Sequence, residues 1–254
     1  MTSYTKYNEF SEIGPKRQQK SGFETDPIDR TVISYLTLRR FIGFLGIILP
    51  IVLLLGSKFN SENLLPSISH YFHSCMKIAF VGIIFSIAVF LWCHNGDDHA
   101  ESLLTKAASL CAILVVICPT KNDLSILNEG TAYYLSDFKK FVQPTVKEPE
   151  FVGYFHFICA AFFFTILIIL ILWKFKNHEK KSSNPSIGRL WFYNISGWGM
   201  VLCIAIIFIS HIFGFAYSIF PVTFLCETIA LILFGLAWLV KGEAEEIIKK
   251  SLDS

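Results

Sequence analysis

Six apolar stretches, at residues 38–56, 75–93, 103–118, 151–173, 191–217 and 219–240, are separated by polar breaks. A hydrocarbon core about 30 Å thick takes roughly 17–25 apolar residues per helix. The pattern therefore predicts an all-α fold, a polytopic membrane helix bundle with six transmembrane helices over residues 38–240. The third stretch is the shortest and carries Lys106 and Ser109, which assigns it to the inside of the bundle. Residues 1–25 are polar and without period, the pattern of a disordered cytoplasmic tail. Their GPKRQQK run is either solvated or in contact with anionic lipid. Asp26, Pro27 and Asp29 take N-cap, N1 and N3 positions. With Ile28, Val32, Ile33 and Leu36 on one face, residues 26–37 form an interfacial helix that bends into the first span. Residues 241–254 extend the last helix into the cytoplasm. The first apolar run begins about forty residues in, with no small-residue cleavage site after a short core, so it is expected to act as an uncleaved signal anchor.

Composition narrows the class. The chain is 53% apolar and 17% charged, against roughly 45–50% and about 25% in soluble domains, which disfavours an ordinary soluble enzyme. Twenty-two Lys plus Arg against 20 Asp plus Glu leave a formal +2, so no bulk field recruits nucleic acid. The distribution of cations orients the bundle. Lys6, Lys16, Arg17, Lys20, Arg30, Arg39 and Arg40, then Lys174, Lys176, Lys180, Lys181 and Arg189, then Lys241, Lys249 and Lys250 share one side of a six-span topology. The other side holds Lys58, Lys77, Lys121, Lys139, Lys140 and Lys147. Cytoplasmic loops retain positive charge, so both termini are expected inside, N-in/C-in. The seven cysteines are scattered and odd in number, no disulfide framework. Cys111 and Cys118 share a helix face as small packing residues. No internal repeat is visible, which weighs against an inverted-repeat transporter.

Ionisable groups at membrane depth are costly and mark candidate sites. His156, His211 and Glu227 fall in one layer, on the order of 6–12 Å below the extracytoplasmic surface at helical rise. The PSISHYFHS segment brings Ser67, Ser69, His70, Tyr71 and His73 to the same side, and the end of the third span adds Pro119, Thr120 and Asp123. Ser67, Ser69, His70 and Thr120 are the ligand-binding candidates, and Ser69 and Glu227 the catalytic ones. Neutral imidazoles with a carboxylate are zinc ligand types, and catalytic zinc takes three protein ligands plus water. His73, His156, His211 and Glu227 would supply them, although no HExxH-like spacing is present. Each histidine also reads as an interhelical hydrogen-bonder. Counted from a turn near Ser218, His211 and Glu227 differ by about 3 Å in depth, which makes them an expected pair.

Other polar features read structurally. Ser218 can N-cap the last span, with Pro221 in its first turn, and Pro50 predicts a kink in the first span. In HNGDDHAE, with His94, Asp97, Asp98, His99 and Glu101, Asp98 and Glu101 have capping-box spacing and Asn95–Gly96 is turn chemistry. Trp173, Trp191, Trp198 and Trp238, with Tyr154, Tyr193 and Tyr217, fall near interfaces as an aromatic belt would. The 25 phenylalanines, Phe162 to Phe164 among them, are expected to cover lipid-facing surface.

The segments PSISHYFHSCMKIAFVGIIFSIAVFLW, CPT, GYFHFICAAFFF and CETIALILFGLAWLVKGE together resemble a family of bacterial six-span integral membrane proteins over residues 35–243. The resemblance implies a bacterial inner membrane location, with Ser67–Ser69, Pro119–Thr120 and His156 as its recurring elements. A remoter likeness is to DRAM/Frag-type membrane proteins. Neither brings a catalytic mechanism. A weaker resemblance is to the alkaline ceramidase and adiponectin receptor superfamily of seven-span zinc hydrolases, in which Ser69 and His73 fit a Ser-x-x-x-His element. Six spans, no intramembrane Asp on the third and a lone His211 depart from it. Three functions follow as expectations: an extracytoplasmic pocket that binds a lipid headgroup or a membrane protein partner, a zinc-dependent lipid amidase or esterase, and a small transporter.

Overall fold

The computed structural model describes residues 27–60, 64–120, 150–182, 185–213 and 221–252, with side chains within residues 36–242 of these segments. The tail 1–25, Asp26, Asp123, the 121–149 loop, Tyr217 and Ser218 lie outside the described residues. All regular structure among the described residues is helical.

Helix α1 spans Pro27–Phe59, and a 3-10 helix follows at Ile68–His73. Next come α2 (Lys77–Cys93) and α3 (His99–Ile117). Helix α4 begins as Glu150–Ile169, widens into a π-helical stretch at Leu170–Phe175 and finishes at Lys176–Lys181. Helices α5 (Ile187–Ile212) and α6 (Val222–Leu252) complete the order. Helix α1 carries residues 27–37 into the first apolar stretch as one helix and runs through Pro50.

Each helix packs on the next in the chain, and α6 closes the ring against α1. The result is a closed up-and-down bundle in which Arg39 at the start of the first apolar stretch and Lys241 near the end of the last come to the same end. Contact between α1 and α6 is closest at two glycines. A Cβ on Gly43 would lie 2.6 Å from the Gly235 carbonyl oxygen, and one on Gly235 would run into the Gly43 carbonyl and lie 2.6 Å from Ile47. Small residues at such a crossing let membrane helices approach backbone to backbone.

Five helical stretches are long and apolar enough to cross a membrane: Leu36–Phe59, His99–Ile117, Phe151–Lys181, Ile187–Ile212 and Val222–Gly242. This fits a multi-pass membrane protein. The shorter apolar helix is α2, of 17 residues, about 25 Å at helical rise. The third stretch, the shortest by sequence, qualifies by length and hydropathy, but it is not enclosed by the bundle as expected, since Leu103, Leu110 and Ile117 are exposed. Ser109 is buried and donates a 2.6 Å hydrogen bond to the Ala88 carbonyl of α2.

The aromatic belt is only partly formed. Trp173, Trp191, Trp198 and Tyr154 are exposed on the bundle surface, whereas Trp238 and Tyr193 are fully buried. Phe175 of the π stretch packs between those two, its ring 5.3 Å from Trp238 and 5.9 Å from Tyr193. Of the phenylalanine run, Phe162 faces outward and Phe163 is buried. The described cysteines are free thiols.

Candidate functional site

At one end of the bundle the PSIS segment folds back over the helices. Ser67 N-caps the 3-10 helix, its hydroxyl accepting from the His70 backbone N–H. The same hydroxyl lies 2.6 Å from His70 Nδ1. Two bonds then clamp the segment to the first turns of α6. The Phe224 N–H donates to the Pro66 carbonyl at 2.9 Å, and the Ile68 N–H donates to Glu227 Oε2 at 2.6 Å. Phe224 and Glu227 are three residues apart and so lie on one helix face. Tyr71, fully buried, packs its ring 6.0 Å from Phe224, and its hydroxyl is 3.3 Å from Ser57 Oγ on α1. Pro66, Ile68 and Tyr71 thus join α1 and α6 beneath a short lid.

Under that lid is a cavity of about 50 Å³. Its walls come from every helix except α5, and they are apolar, with Phe80, Phe163, Phe164 and Leu231 prominent. The two polar side chains lining it are Ser69 and Glu227. Glu227 makes one hydrogen bond among the described residues, through Oε2, and Ser69 makes none with its hydroxyl.

The histidines expected to join them are engaged elsewhere. His73 Nε2 bonds the Thr120 carbonyl at 2.8 Å. His156 Nδ1 bonds the Cys118 carbonyl at 2.7 Å and the Val115 carbonyl at 3.2 Å, so it donates to the end of α3. His211 Nδ1 lies 2.9 Å from the Ile207 carbonyl of its own helix, and its ring meets Phe157 edge-on at 5.6 Å. The expected His211–Glu227 pair is replaced by Glu227 with Ile68. His211 packs against Phe157 of α4, whereas Glu227 bonds the PSIS segment. Among the described residues no three His, Cys, Asp or Glu side chains gather as a metal ion requires. A ring nitrogen bonded to a carbonyl does not by itself exclude metal binding through the other; it is because His73, His156, His211 and Glu227 do not gather around one point among the described residues that they do not form a zinc site here.

The opposite end holds a second polar constellation, built around the α2–α3 turn. Asp98 N-caps α3, accepting from the Glu101 N–H at 2.6 Å. The reciprocal arm of the capping box lands one residue early, Glu101 Oε2 accepting from the Asp97 N–H at 3.3 Å. That turn delivers Asp97 to two cations and an imidazole from three helices. Arg39 of α1 approaches Oδ1 at 3.2 Å, while Lys241 of α6 and His178 of α4 approach Oδ2 at 2.9 and 2.5 Å. Arg39 is 0% exposed and Lys241 2%. Buried Glu101 lies 3.8 Å from Arg39 and 3.6 Å from His94, whose ring packs 5.0 Å from Trp238.

Burial pushes the Asp97 carboxyl up, but the His178 hydrogen bond and the Lys241 and Arg39 charges outweigh it and hold Asp97 well below the usual carboxylate range. Burial lowers the His94 imidazole. On the rim, Lys174 holds both oxygens of Asp98 and lowers it. Glu179 takes a two-pronged grip from Arg189, at 3.0 and 2.8 Å. Sequence reading placed Arg39 and Lys241 only as topological charges. The available signal was opposite charge at matched depth, with Arg39 and Lys241 at the same end as the Asp97 turn.

In comparison with known proteins, the chain matches no family model, no curated protein and no solved structure.

Proposed function

We propose that the chain is a six-span protein of a bacterial inner membrane with both termini cytoplasmic, and that it binds the terminal group of a lipid headgroup in the Ser69–Glu227 cavity. Counting α2 as a span alternates the helices correctly and sets the Asp97 constellation on the cytoplasmic side. The 3-10 helix then faces out. The observation that carries the binding reading is the pair of polar groups, the Ser69 hydroxyl and Glu227 Oε1, each without a hydrogen bond among the described residues and each at a cavity with apolar walls. Both side chains are half-buried beside apolar walls, where a hydrogen bond is electrostatically stronger than in water, so a ligand that engages both is held by two converging polar groups. Ser67, His70 and Thr120 act as the frame, since their hydrogen bonds close the lid rather than point into the cavity.

Two measurements test this. Gly130→Cys in a background with the native cysteines replaced by serine should react with an impermeant maleimide in intact cells, whereas a cysteine at either terminus should not. The reverse pattern overturns the orientation. Lipid extracted from purified protein should fall when Ser69→Ala and Glu227→Gln are combined. Retention equal to that of the parent overturns the binding reading.

A further inference from the structure

We infer that the group received by this cavity is an ammonium, an inference that rests on the binding reading above. Glu227 brings a negative charge into the bundle, and among the described residues no Lys, Arg or His side chain bonds its carboxylate. One oxygen is already held by the Ile68 N–H, and the side chain lines the cavity. A half-buried carboxylate set among apolar walls, with no cation bonded to it among the described residues, gains most from an occupant that carries positive charge.

The walls narrow its class. A hard metal cation wants six or more oxygens, and the cavity offers the free carboxylate oxygen and the Ser69 hydroxyl among apolar side chains. An anion is excluded by like charge. Water would fill the space without balancing Glu227. Phe80, Phe163 and Phe164 supply aromatic rings to the same cavity, and a carboxylate with aromatic faces is the combination that holds an alkylammonium, by a charge-assisted hydrogen bond on one side and cation–π attraction on the others. At about 50 Å³ the space suits the –NH3+ end of a molecule rather than a whole headgroup. The same chemistry is presented by an aminophospholipid and by a free small amine.

Dicyclohexylcarbodiimide separates these from each other and from a proton, because it modifies protonated carboxyl groups in apolar surroundings. Purified full-length protein is placed in nanodiscs of phosphatidylglycerol alone, of phosphatidylglycerol with phosphatidylethanolamine, and of phosphatidylglycerol with ethylamine added to the buffer. Modification of Glu227 is read by peptide mass spectrometry as the sum of the N-acylurea and of the amide formed when an amine intercepts the activated carboxyl with loss of dicyclohexylurea, so that interception is not mistaken for protection. Occupancy by an ammonium should slow labelling about tenfold, the effect of roughly 1.4 kcal/mol of selective binding. Slowing by phosphatidylethanolamine alone identifies the lipid source, and slowing by ethylamine identifies the free amine. Ser69→Ala, a small change in a folded background, should weaken the protection, whereas Gly82→Ala, where a Cβ meets nothing within 4 Å, should leave it unchanged. Equal labelling in all three membranes overturns the inference and leaves a proton as the partner of Glu227. If phosphatidylglycerol retention still depends on Ser69 and Glu227 in that case, the binding reading stands and the ammonium alone is lost.

Discussion

Asp97 and Lys241 are 144 positions apart in the chain, yet their charged atoms are 2.9 Å apart inside the bundle. Arg39 and His178 complete the same carboxylate, so one side chain on a turn ties the first, fourth and sixth helices together. Removing the Asp97 carboxylate leaves the buried Arg39 and Lys241 cations short of a counter-charge, whereas replacing both partners by apolar groups need not.

Asp97→Asn should therefore lower stability by about 3 kcal/mol or more, read as thermal unfolding in detergent. Adding Lys241→Met to it should recover part of the loss. A single variant that melts with the parent would mean that solvent, not Asp97, balances Arg39 and Lys241.

Acidification should act first through His94. Its folded-state value is lowered by burial, so the unfolded chain takes up the proton first. The stability it contributes is present above the ordinary histidine value of about 6.5 and is lost as pH falls below that. Asp97 is also depressed, but its contribution is lost only below the ordinary aspartate value near 4. A melting temperature that falls between pH 7 and 5 in the parent, and less in His94→Gln, is the expected result. The groups facing His94 are Glu101, Arg39, Asp97 and the Trp238 ring. An equal fall in both proteins would assign the titration to another group.

The α1–α6 crossing should tolerate no added side chain. Gly235→Ala places a methyl against the Gly43 carbonyl and Ile47, and overpacking of this kind costs about 1–3 kcal/mol. Gly82→Ala, where a Cβ meets nothing within 4 Å, is the matched control and should melt close to the parent.

Arg189→Lys keeps the charge opposite Glu179 but loses the planar fork that occupies both its oxygens. A loss of about 1 kcal/mol is expected, since charge-assisted paired bonds exceed a single one by that order. Full retention of stability would show that the Ser186 N–H bond to Glu179 alone, at 2.7 Å, fixes the α4–α5 connection.

The all-helical class and the place of five apolar membrane-length helices were legible because the polar breaks in the apolar pattern are strong. The Asp98 cap was legible because capping is local in sequence. The meeting of Ser69 with Glu227 was visible only as shared depth, since depth follows from counting residues but facing does not. Trp238 and Tyr193 show the same gap: an aromatic residue near a helix end reads as an interface anchor until the facing of its helix is known. Arg39 and Lys241 were hidden for a further reason. A cation at the end of an apolar stretch has the same local pattern whether it ends in water or on a carboxylate 58 or 144 residues away.

Helix α4 serves both ends of the molecule, and its π stretch sets how they are phased. Cys159, Phe163, Leu167, Ile171, Phe175 and Glu179 are all buried at a spacing of four. On a regular helix each such step overshoots by about 40°, so five steps would swing the row by about 200°, to the far side. The wider turns of Leu170–Phe175 take back part of that rotation. Phe163 can therefore wall the cavity while His178 and Glu179, four turns on, still face Asp97 and Arg189. Deleting one residue from the stretch would turn the ion-binding end by about 100° against the cavity end. The relative rotation of the two polar ends is thus written into the winding of six apolar-rich residues, of which Lys174 alone reaches a polar end.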